Sequence, residues 1–182
     1  MQIDPTPIEG VFVITPTRHG DARGFFAETW SAAKLAEAGH DWTFVQDNQS
    51  LSATKGTLRG LHYQAPPYAQ AKLVRCGRGA VWDVAVDTRP GSPTYGKWFG
   101  AELSADNGCQ LYIPAGFLHG FSTLTPDAEL LYKCSAPYNG AADGSVHYAS
   151  ADLGIDWKLD GAPVLSDKDQ NAPDFSTWQN PF

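Results

Sequence analysis

The chain has 182 residues, 42% of them hydrophobic, without an apolar run long enough to span a bilayer, so one soluble domain over residues 1–182 is predicted. Thirteen basic against twenty acidic residues give a net charge of −7, which disfavours nucleic acids and anionic membranes as partners. The polar opening MQIDPTPIEG lacks the basic and apolar regions of a signal peptide, so a cytoplasmic location is expected.

The pattern along the chain is that of an all-β protein. Eighteen glycines and thirteen prolines separate short runs rich in β-branched and aromatic residues. The predicted strands are GVFVIT, WTFVQ, TLRGLHYQ, AKLVRC, AVWDVAVD, KWFGAEL, QLYI, GFSTL and AELLYKC. One helix is predicted over residues 31–39, capped by Ser31 and ended by Gly39, and another short helix is expected after Asp160. Many short strands at regular spacing favour a barrel or jelly roll over a parallel α/β sheet.

The motifs that the chain lacks narrow its chemistry. Its three cysteines, Cys76, Cys109 and Cys134, lie far apart without a CxxC pair, so reduced, buried thiols are predicted rather than a disulfide framework or a zinc knuckle. There is no GxxxxGK[ST], no GxGxxG after a strand and no GxSxG. These absences argue against an NTPase, a dinucleotide enzyme and a serine hydrolase, and no hydride cofactor is implied.

The segment GCQLYIPAGFLHGF, residues 108–121, resembles the second motif of the cupin superfamily of jelly rolls. Metal-binding cupins add a His-x-His pair and a glutamate from a first motif. Here His62 is followed by tyrosine and glutamine, and residues 68 and 69, where the glutamate would stand, are tyrosine and alanine. His62 and His119 alone are too few ligands for a first-row metal, so no metal is expected.

Without a metal, proton transfer is the strongest functional interpretation of His62, because a neutral imidazole is a good base near pH 7. The alternative is a core histidine bonded to a backbone carbonyl. Arg59 and His62 are three residues apart, so a regular strand would point them to opposite faces. Gly60 between them would permit a bulge that turns both inward.

Blocks along nearly the whole chain, from about residue 8 to 175, resemble the dTDP-4-dehydrorhamnose 3,5-epimerase family in order and spacing. They are RGFFAETW, QDNQS, KGTLRGLHYQ, AKLVRCGRGAVWDVAVDTRPGSPTYGKW, LYIPAGFLHGF, LLYKCSAPY and LSDKD. The resemblance implies a cupin-type jelly roll that epimerises a dTDP-4-keto-6-deoxyhexose at C3 and C5. It also implies no metal or nucleotide cofactor and a homodimeric assembly.

By position, the resemblance makes His62 the general base and Asp169 the carboxylate that orients it. It makes Tyr132 the acid on the opposite face of the sugar and places Lys72 near the C4 oxygen, where an enolate develops. Further positions imply contacts with the dTDP moiety or the sugar, with Tyr138 stacking on thymine. These substrate-binding residues are Arg23, Phe26, Glu28, Gln46, Asn48, Arg59, His119, Tyr138, Asp143 and Lys168.

Each residue also has an ordinary structural interpretation. Arg23 and Glu28 could form an exposed ion pair worth under about 1 kcal/mol. Tyr132 could be a strand aromatic, and Lys72 a solvent-facing edge residue. What favours the catalytic interpretation is that every matched position carries the chemical type that the reaction needs.

Three departures from the family pattern leave alternatives open. Asp143 replaces a glutamate, residues 146–157 lack the expected Trp-Asn-Asp, and Trp30 replaces Tyr or Phe. The chain could therefore be a mono-epimerase or ketoisomerase of a related dTDP-sugar, or a non-catalytic sugar-nucleotide-binding cupin. The dimer is expected to exchange its N-terminal strand region, so that Arg23 and Glu28 complete the neighbour's site.

Overall fold

The computed structural model describes all 182 residues and contains thirteen short strands and two short helices. The strands are β1 (Gln2–Pro5), β2 (Phe12–Thr15), β3 (Arg18–Asp21), β4 (Gly24–Ala27), β5 (Gln46–Ser52), β6 (Leu58–Gln64), β7 (Lys72–Arg78), β8 (Ala80–Asp87), β9 (Trp98–Ser104), β10 (Gln110–Ile113), β11 (Phe117–Thr123), β12 (Ala128–Cys134) and β13 (Asp143–Ser145). The helices are α1 (Ala32–Glu37) and α2 (Asp167–Gln170).

Two antiparallel sheets form the body of the fold. One has the order β1-β2-β10-β7-β12-β5, the other β13-β6-β11-β8-β9, and β3 and β4 form a separate hairpin. Sequence neighbours are often not sheet neighbours, which is typical of a jelly roll. The prediction of an all-β, cupin-type fold with a few short helices is confirmed.

The main hydrophobic core lies between the two sheets, because alternate residues of each strand point inward. Its buried members are Ile8, Val11, Val74, Cys76, Val81, Ala85, Leu103, Leu111, Ile113, Phe117, Phe121, Ala128 and Leu130. Burying each large aliphatic side chain contributes roughly 1.5–3 kcal/mol. Truncating the fully buried Leu111 to alanine should therefore destabilise the fold by about 2–5 kcal/mol.

The outward faces of both sheets are also covered. The irregular C-terminal segment packs Trp157 and Trp178 over the five-stranded sheet, against Leu58, Val84 and other apolar residues. This second layer fixes α2 next to β6. As a result, a residue of the C-terminal helix can reach the end of a barrel strand.

Both helices begin at the residues that capping chemistry selects. Ser31 accepts a hydrogen bond from the backbone N–H of Lys34, and Ser166 accepts one from that of Asp169. Gly39 follows α1 with a φ of +86°, which suits a helix terminator. The predicted helix over residues 31–39 and the short helix in the tail are confirmed.

The predicted strand WTFVQ is wrong for most of its length, since residues 40–45 are irregular. Its aromatic residues instead pack on the outer face of the six-stranded sheet. Trp42 stacks on Tyr112 with ring centroids 3.7 Å apart, and Phe44 meets Trp30 edge-on at 6.1 Å. Here aromatic packing, not strand pairing, explains the apolar run.

Candidate active site

Three predicted catalytic side chains and the predicted substrate-binding residue His119 gather at one end of the space between the sheets. His62 lies on β6, Lys72 on β7, His119 on β11 and Tyr132 on β12. His119 is the cross-strand partner of His62, and Lys72 is that of Cys134. Four strands that are distant in sequence therefore bring a base, a cation and a phenol into one polar region.

A bulge in β6 allows both Arg59 and His62 to face inward. His119 on β11 pairs with His62 on β6, and Phe121 pairs with Arg59. Between these two pairs β11 therefore advances by two residues and β6 by three. The extra residue accommodates the three-residue spacing, as predicted. Only glycine fits at position 60, because its φ is +128° and a Cβ there would lie 2.5 Å from the Cα of Gly120.

His62 is held by a carboxylate from α2. Its Nε2 lies 2.5 Å from Oδ1 of Asp169, whose Oδ2 accepts a hydrogen bond of 3.0 Å from the hydroxyl of Ser166. Because a carboxylate only accepts, Nε2 carries the proton. Nδ1 makes no hydrogen bond within the chain, and the side chain is 31% exposed. In the neutral ring, Nδ1 is therefore the unprotonated nitrogen, and it is free of any partner within the chain.

Asp169 stays ionised beside the imidazole. Burial by itself would raise the pKa of this carboxyl, but the hydrogen bond and charge of His62, with the hydroxyl of Ser166, bring the pKa below its usual value. A fixed negative charge also stabilises the imidazolium that forms when His62 accepts a proton. The pair has the arrangement expected of a general base and its orienting group.

Lys72 and His119 lie next to each other inside the barrel. Nζ of Lys72 is 3.5 Å from Nδ1 of His119, and Nε2 of His119 is 2.9 Å from Oδ2 of Asp83. Burial lowers the pKa of both Lys72 and His119, while the charge of Asp83 opposes the shift in each. The contact of His119 with substrate stays a prediction, since both of its ring nitrogens already have partners.

Tyr132 is half-buried, with its ring packed against the main core. Burial raises the pKa of its phenol, with a further rise from Cys134, so the hydroxyl remains a proton donor at neutral pH. Asn48 faces it across the β5–β12 pairing and donates to the thiol of Cys134 at 3.5 Å. Cys76 and Cys134 are buried free thiols, whereas Cys109 is only partly buried.

Polar side chains from β5 and from the loop after β12 line the mouth of the site. Gln46 donates to Oδ1 of Asn48 at 2.9 Å and accepts from the backbone N–H of Tyr138 at 2.8 Å. The hydroxyl of Tyr138 lies 3.4 Å from Asp143, which is salt-bridged to Lys168 at 2.5 Å. Tyr138 is 63% exposed, so its ring is available to stack on a base.

Arg59 faces the same space from β6. It donates to the hydroxyl of Ser52 and to the carbonyl of Leu51, both at 3.2 Å. The bulge turns Arg59 inward, and its positive charge partly opposes the rise that burial causes in the pKa of Tyr132. Arg59, Lys72 and Lys168 thus concentrate cationic charge in one region of an acidic protein.

Three predicted substrate-binding residues do not join this group. Arg23 is paired with Asp21 at the tip of the β3–β4 hairpin, and Glu28 is paired with Lys34. Phe26 is 71% exposed and lines a separate surface cavity with Glu28. Within one chain, the hairpin is therefore not part of the barrel site.

Asp83 and Ser166 were missed by the sequence reasoning. An ionisable residue inside the apolar strand AVWDVAVD is an available signal for Asp83, since alternation places it on the face of Val81 and Ala85. Ser166 lacks such a signal beyond its N-cap position.

The chain has no group of three or more side chains suited to hold a metal ion, and no helix long and apolar enough to cross a membrane.

Known proteins resemble the chain over almost its whole length. A family model described as dTDP-4-dehydrorhamnose 3,5-epimerase matches residues 5–177. The dTDP-4-dehydrorhamnose 3,5-epimerase of Sinorhizobium fredii is 49% identical over 177 residues, which cover 95% of this chain and 89% of that protein.

Two further relatives bear on substrate and specificity. The crystal structure of dTDP-6-deoxy-D-glucose-3,5-epimerase from Legionella pneumophila, in complex with dTDP-4-keto-L-rhamnose, is similar with a TM-score of 0.93 and 45% identity. That match covers 98% of this chain and 94% of the other. The dTDP-4-dehydrorhamnose 3-epimerase of Streptomyces niveus is 42% identical, covering 94% of this chain and 83% of that protein.

Proposed function

The chain belongs to the dTDP-4-dehydrorhamnose 3,5-epimerase family, and from that premise we propose that it inverts C3 and C5 of dTDP-4-dehydro-6-deoxy-D-glucose to give dTDP-4-dehydro-L-rhamnose. It is an isomerase. The observation that carries the mechanism is the His62–Asp169 pair, which leaves Nδ1 of the neutral His62 ring without a proton and without a partner in the chain.

His62 acts as the general base in each half-reaction. The C3 and C5 hydrogens flank the C4 ketone, so removing either proton forms an enolate instead of a localised carbanion. Nδ1 of His62 accepts the proton, and the charge of Asp169 stabilises the resulting imidazolium. Asp169 keeps the ring in the one tautomer that can accept at this nitrogen.

Lys72 stabilises the enolate. Once a proton leaves, negative charge develops on the C4 oxygen, and a fixed ammonium group in a partly desolvated site lowers the energy of that state more than water does. Lys72 lies on the inward face of β7, and its Nζ is within hydrogen-bond distance of Nδ1 of His119. The remaining ammonium hydrogens are available to the oxyanion.

Tyr132 returns a proton from the other face of the sugar. Reprotonation by His62 would restore the original configuration, so inversion needs a second donor across the ring. Burial keeps the phenol protonated at neutral pH by raising its pKa. Tyr132 and His62 come from opposite sheets, an arrangement that supports donors on two sides of a ring placed between them.

The nucleotide binds at the polar mouth. Tyr138 stacks on thymine, while Gln46 and Asn48 offer amide groups. Arg59 and Lys168 supply positive charge for the diphosphate. Cations gathered in one pocket allow a chain of net charge −7 to hold an anionic ligand. No metal or organic cofactor is needed for this proton-transfer chemistry.

The β3–β4 hairpin completes the site of a second subunit in a homodimer. The support is that Arg23, Phe26 and Glu28 lie outside the site of their own chain, on or directly after a hairpin that exposes 60% of Phe25 and 71% of Phe26. Exposed aromatic side chains of this kind favour an interface. A cytoplasmic location is part of this proposal.

A mono-epimerase is the second candidate, because Asp143 at the mouth is shorter than the family's usual glutamate. A shorter carboxylate bound to Lys168 changes how one edge of the sugar is held. A 3-epimerase that is 42% identical to this chain shows that single epimerisation occurs among its relatives.

Deuterium exchange tests the function. The enzyme is incubated with dTDP-4-dehydro-6-deoxy-D-glucose in D₂O, and deuterium at each carbon is followed by NMR. The double epimerase predicts deuterium and inversion at both C3 and C5. Exchange at one carbon only would establish the mono-epimerase, and exchange at neither would contradict both.

A further inference from the structure

Asp83, in the middle of β8, is a buried carboxylate for which the mechanism above gives no role. Its side chain is 0% exposed. Oδ2 lies 2.9 Å from Nε2 of His119, and Oδ1 has no hydrogen-bond partner in the chain. Burying a carboxylate with a single donor is costly, so fold stability does not explain why an acid stands here.

Asp87 on the same strand is a buried carboxylate with a structural role, and it differs from Asp83 in its number of hydrogen-bond donors. It faces the same side of β8 and is also fully buried. Arg89, Ser92 and Thr94 all donate to it, so its charge is dispersed over the loop that it holds together. The charge of Asp83 is instead directed at one imidazole.

That imidazole connects Asp83 with Lys72. Because a carboxylate only accepts, Nε2 of His119 carries its proton, and the neutral ring then has a lone pair on Nδ1. Nδ1 lies 3.5 Å from Nζ of Lys72, which can donate to it only as long as the ring stays in this tautomer. Burial lowers the pKa of His119 and so favours the neutral ring.

We propose that Asp83 is a positioning residue for the epimerase reaction, which acts through His119 to orient Lys72 and keep it cationic toward the enolate oxygen. Burial disfavours an ammonium group, and a nearby negative charge is what counters that penalty. The carboxylate of Asp83, the imidazole of His119 and the ammonium group of Lys72 thus form a hydrogen-bonded series. This inference rests on the proposed role of Lys72 as the group that stabilises the enolate.

The test is Asp83→Asn in the full-length protein. The amide keeps the shape of the carboxylate but removes its charge, and it can either accept from or donate to Nε2, so the tautomer of His119 is no longer fixed. We expect kcat for inversion to fall by on the order of 10–10². Deuterium uptake should fall in parallel, because enolate formation itself is weakened. The Kd for dTDP should change less than about twofold, since nucleotide contacts are untouched.

Nitrogen NMR of His119 supplies a readout that a merely structural role would not move. In the unmodified enzyme we expect a protonated Nε2 and an unprotonated Nδ1, and in Asp83→Asn a mixture of tautomers. The matched control is Asp87→Asn, which removes a buried carboxylate from the same strand. It should lower stability while leaving kcat and the His119 spectrum unchanged.

The outcomes separate this inference from the function on which it rests. An Asp83→Asn enzyme with unchanged kcat and tautomer would overturn the inference alone. A protonated Nδ1 in the unmodified enzyme would do the same, and that measurement stands even if the variant does not fold. Full exchange in Lys72→Met would instead refute the role of Lys72, and the inference with it.

Discussion

Replacing Tyr132 by phenylalanine should separate proton removal from inversion. The ring packs against the main core and is kept, so only the hydroxyl is lost. Even the loss of a full hydrogen bond costs only about 1 kcal/mol, a small part of the roughly 5–15 kcal/mol that stabilises a domain. The variant should therefore fold, and a change in turnover can be assigned to chemistry.

The expected effect is that of a lost general acid. Inversion should slow by on the order of 10² or more, which corresponds to at least about 2.7 kcal/mol in activation free energy. Exchange should survive better, because His62 still removes the proton and can return solvent deuterium to the face from which it came. Lys72 remains to stabilise the enolate.

The assay follows deuterium and configuration at C3 and C5 in D₂O by NMR. Tyr132→Phe should give deuterium at one carbon or both with retained configuration. Inversion of both carbons at the parent rate would place the acid elsewhere and make Tyr132 an ordinary strand aromatic. Loss of exchange together with inversion would mean that the hydroxyl is needed for enolate formation, so that Lys72 alone does not stabilise the oxyanion.

Two further substitutions and one measurement of molecular size test other parts of the structure and the proposed function. Asp169→Asn should slow inversion less than His62→Ala does, because it disturbs the orientation and charge of the base but leaves the proton acceptor; equal losses in steady-state assays would contradict this. Asp87→Asn should destabilise the fold by about 2 kcal/mol at neutral pH, since the folded pKa of about 2 lies below the usual 3.8. The Asp87 carboxylate contributes this stability above its unfolded pKa, and the contribution is lost as the pH falls through its folded pKa. The difference in unfolding free energy between the unmodified protein and Asp87→Asn, measured in urea, should therefore narrow between about pH 5 and pH 2. Light scattering at micromolar concentration should give a dimer, and a fully active monomer would refute the proposal that Arg23 and Glu28 complete a neighbour's site.

Alternation and turn chemistry are sufficient to predict most of the strands, because half-buried strands carry a period of two in hydrophobicity. They fail at β5, whose more buried face carries the polar residues Gln46, Asn48 and Ser50 in place of apolar ones. The neighbouring run WTFVQ has the composition of a strand but covers the outside of a sheet. Composition alone does not distinguish apolar residues that pack on the outer face of a sheet from those that pack between the two sheets.

The site was partly predictable for a similar reason. The glycine between Arg59 and His62 indicates a bulge, because a two-residue period cannot otherwise point both inward. The approach of Asp169 to His62 depends on how the C-terminal segment folds over a sheet, which local spacing does not encode. Asp83 was missed because its partner His119 lies 36 positions away along the chain.

The central claim is that His62 removes the proton at both carbons, and His62→Ala tests it most directly. Deuterium uptake at C3 and C5 is measured by NMR, and dTDP binding is measured by calorimetry on the same preparation. We expect exchange to be abolished at both carbons while the Kd for dTDP stays within about twofold, because the imidazole acts on the sugar and not on the nucleotide. Retained exchange at either carbon in a variant that still binds dTDP would show that another group is the base there.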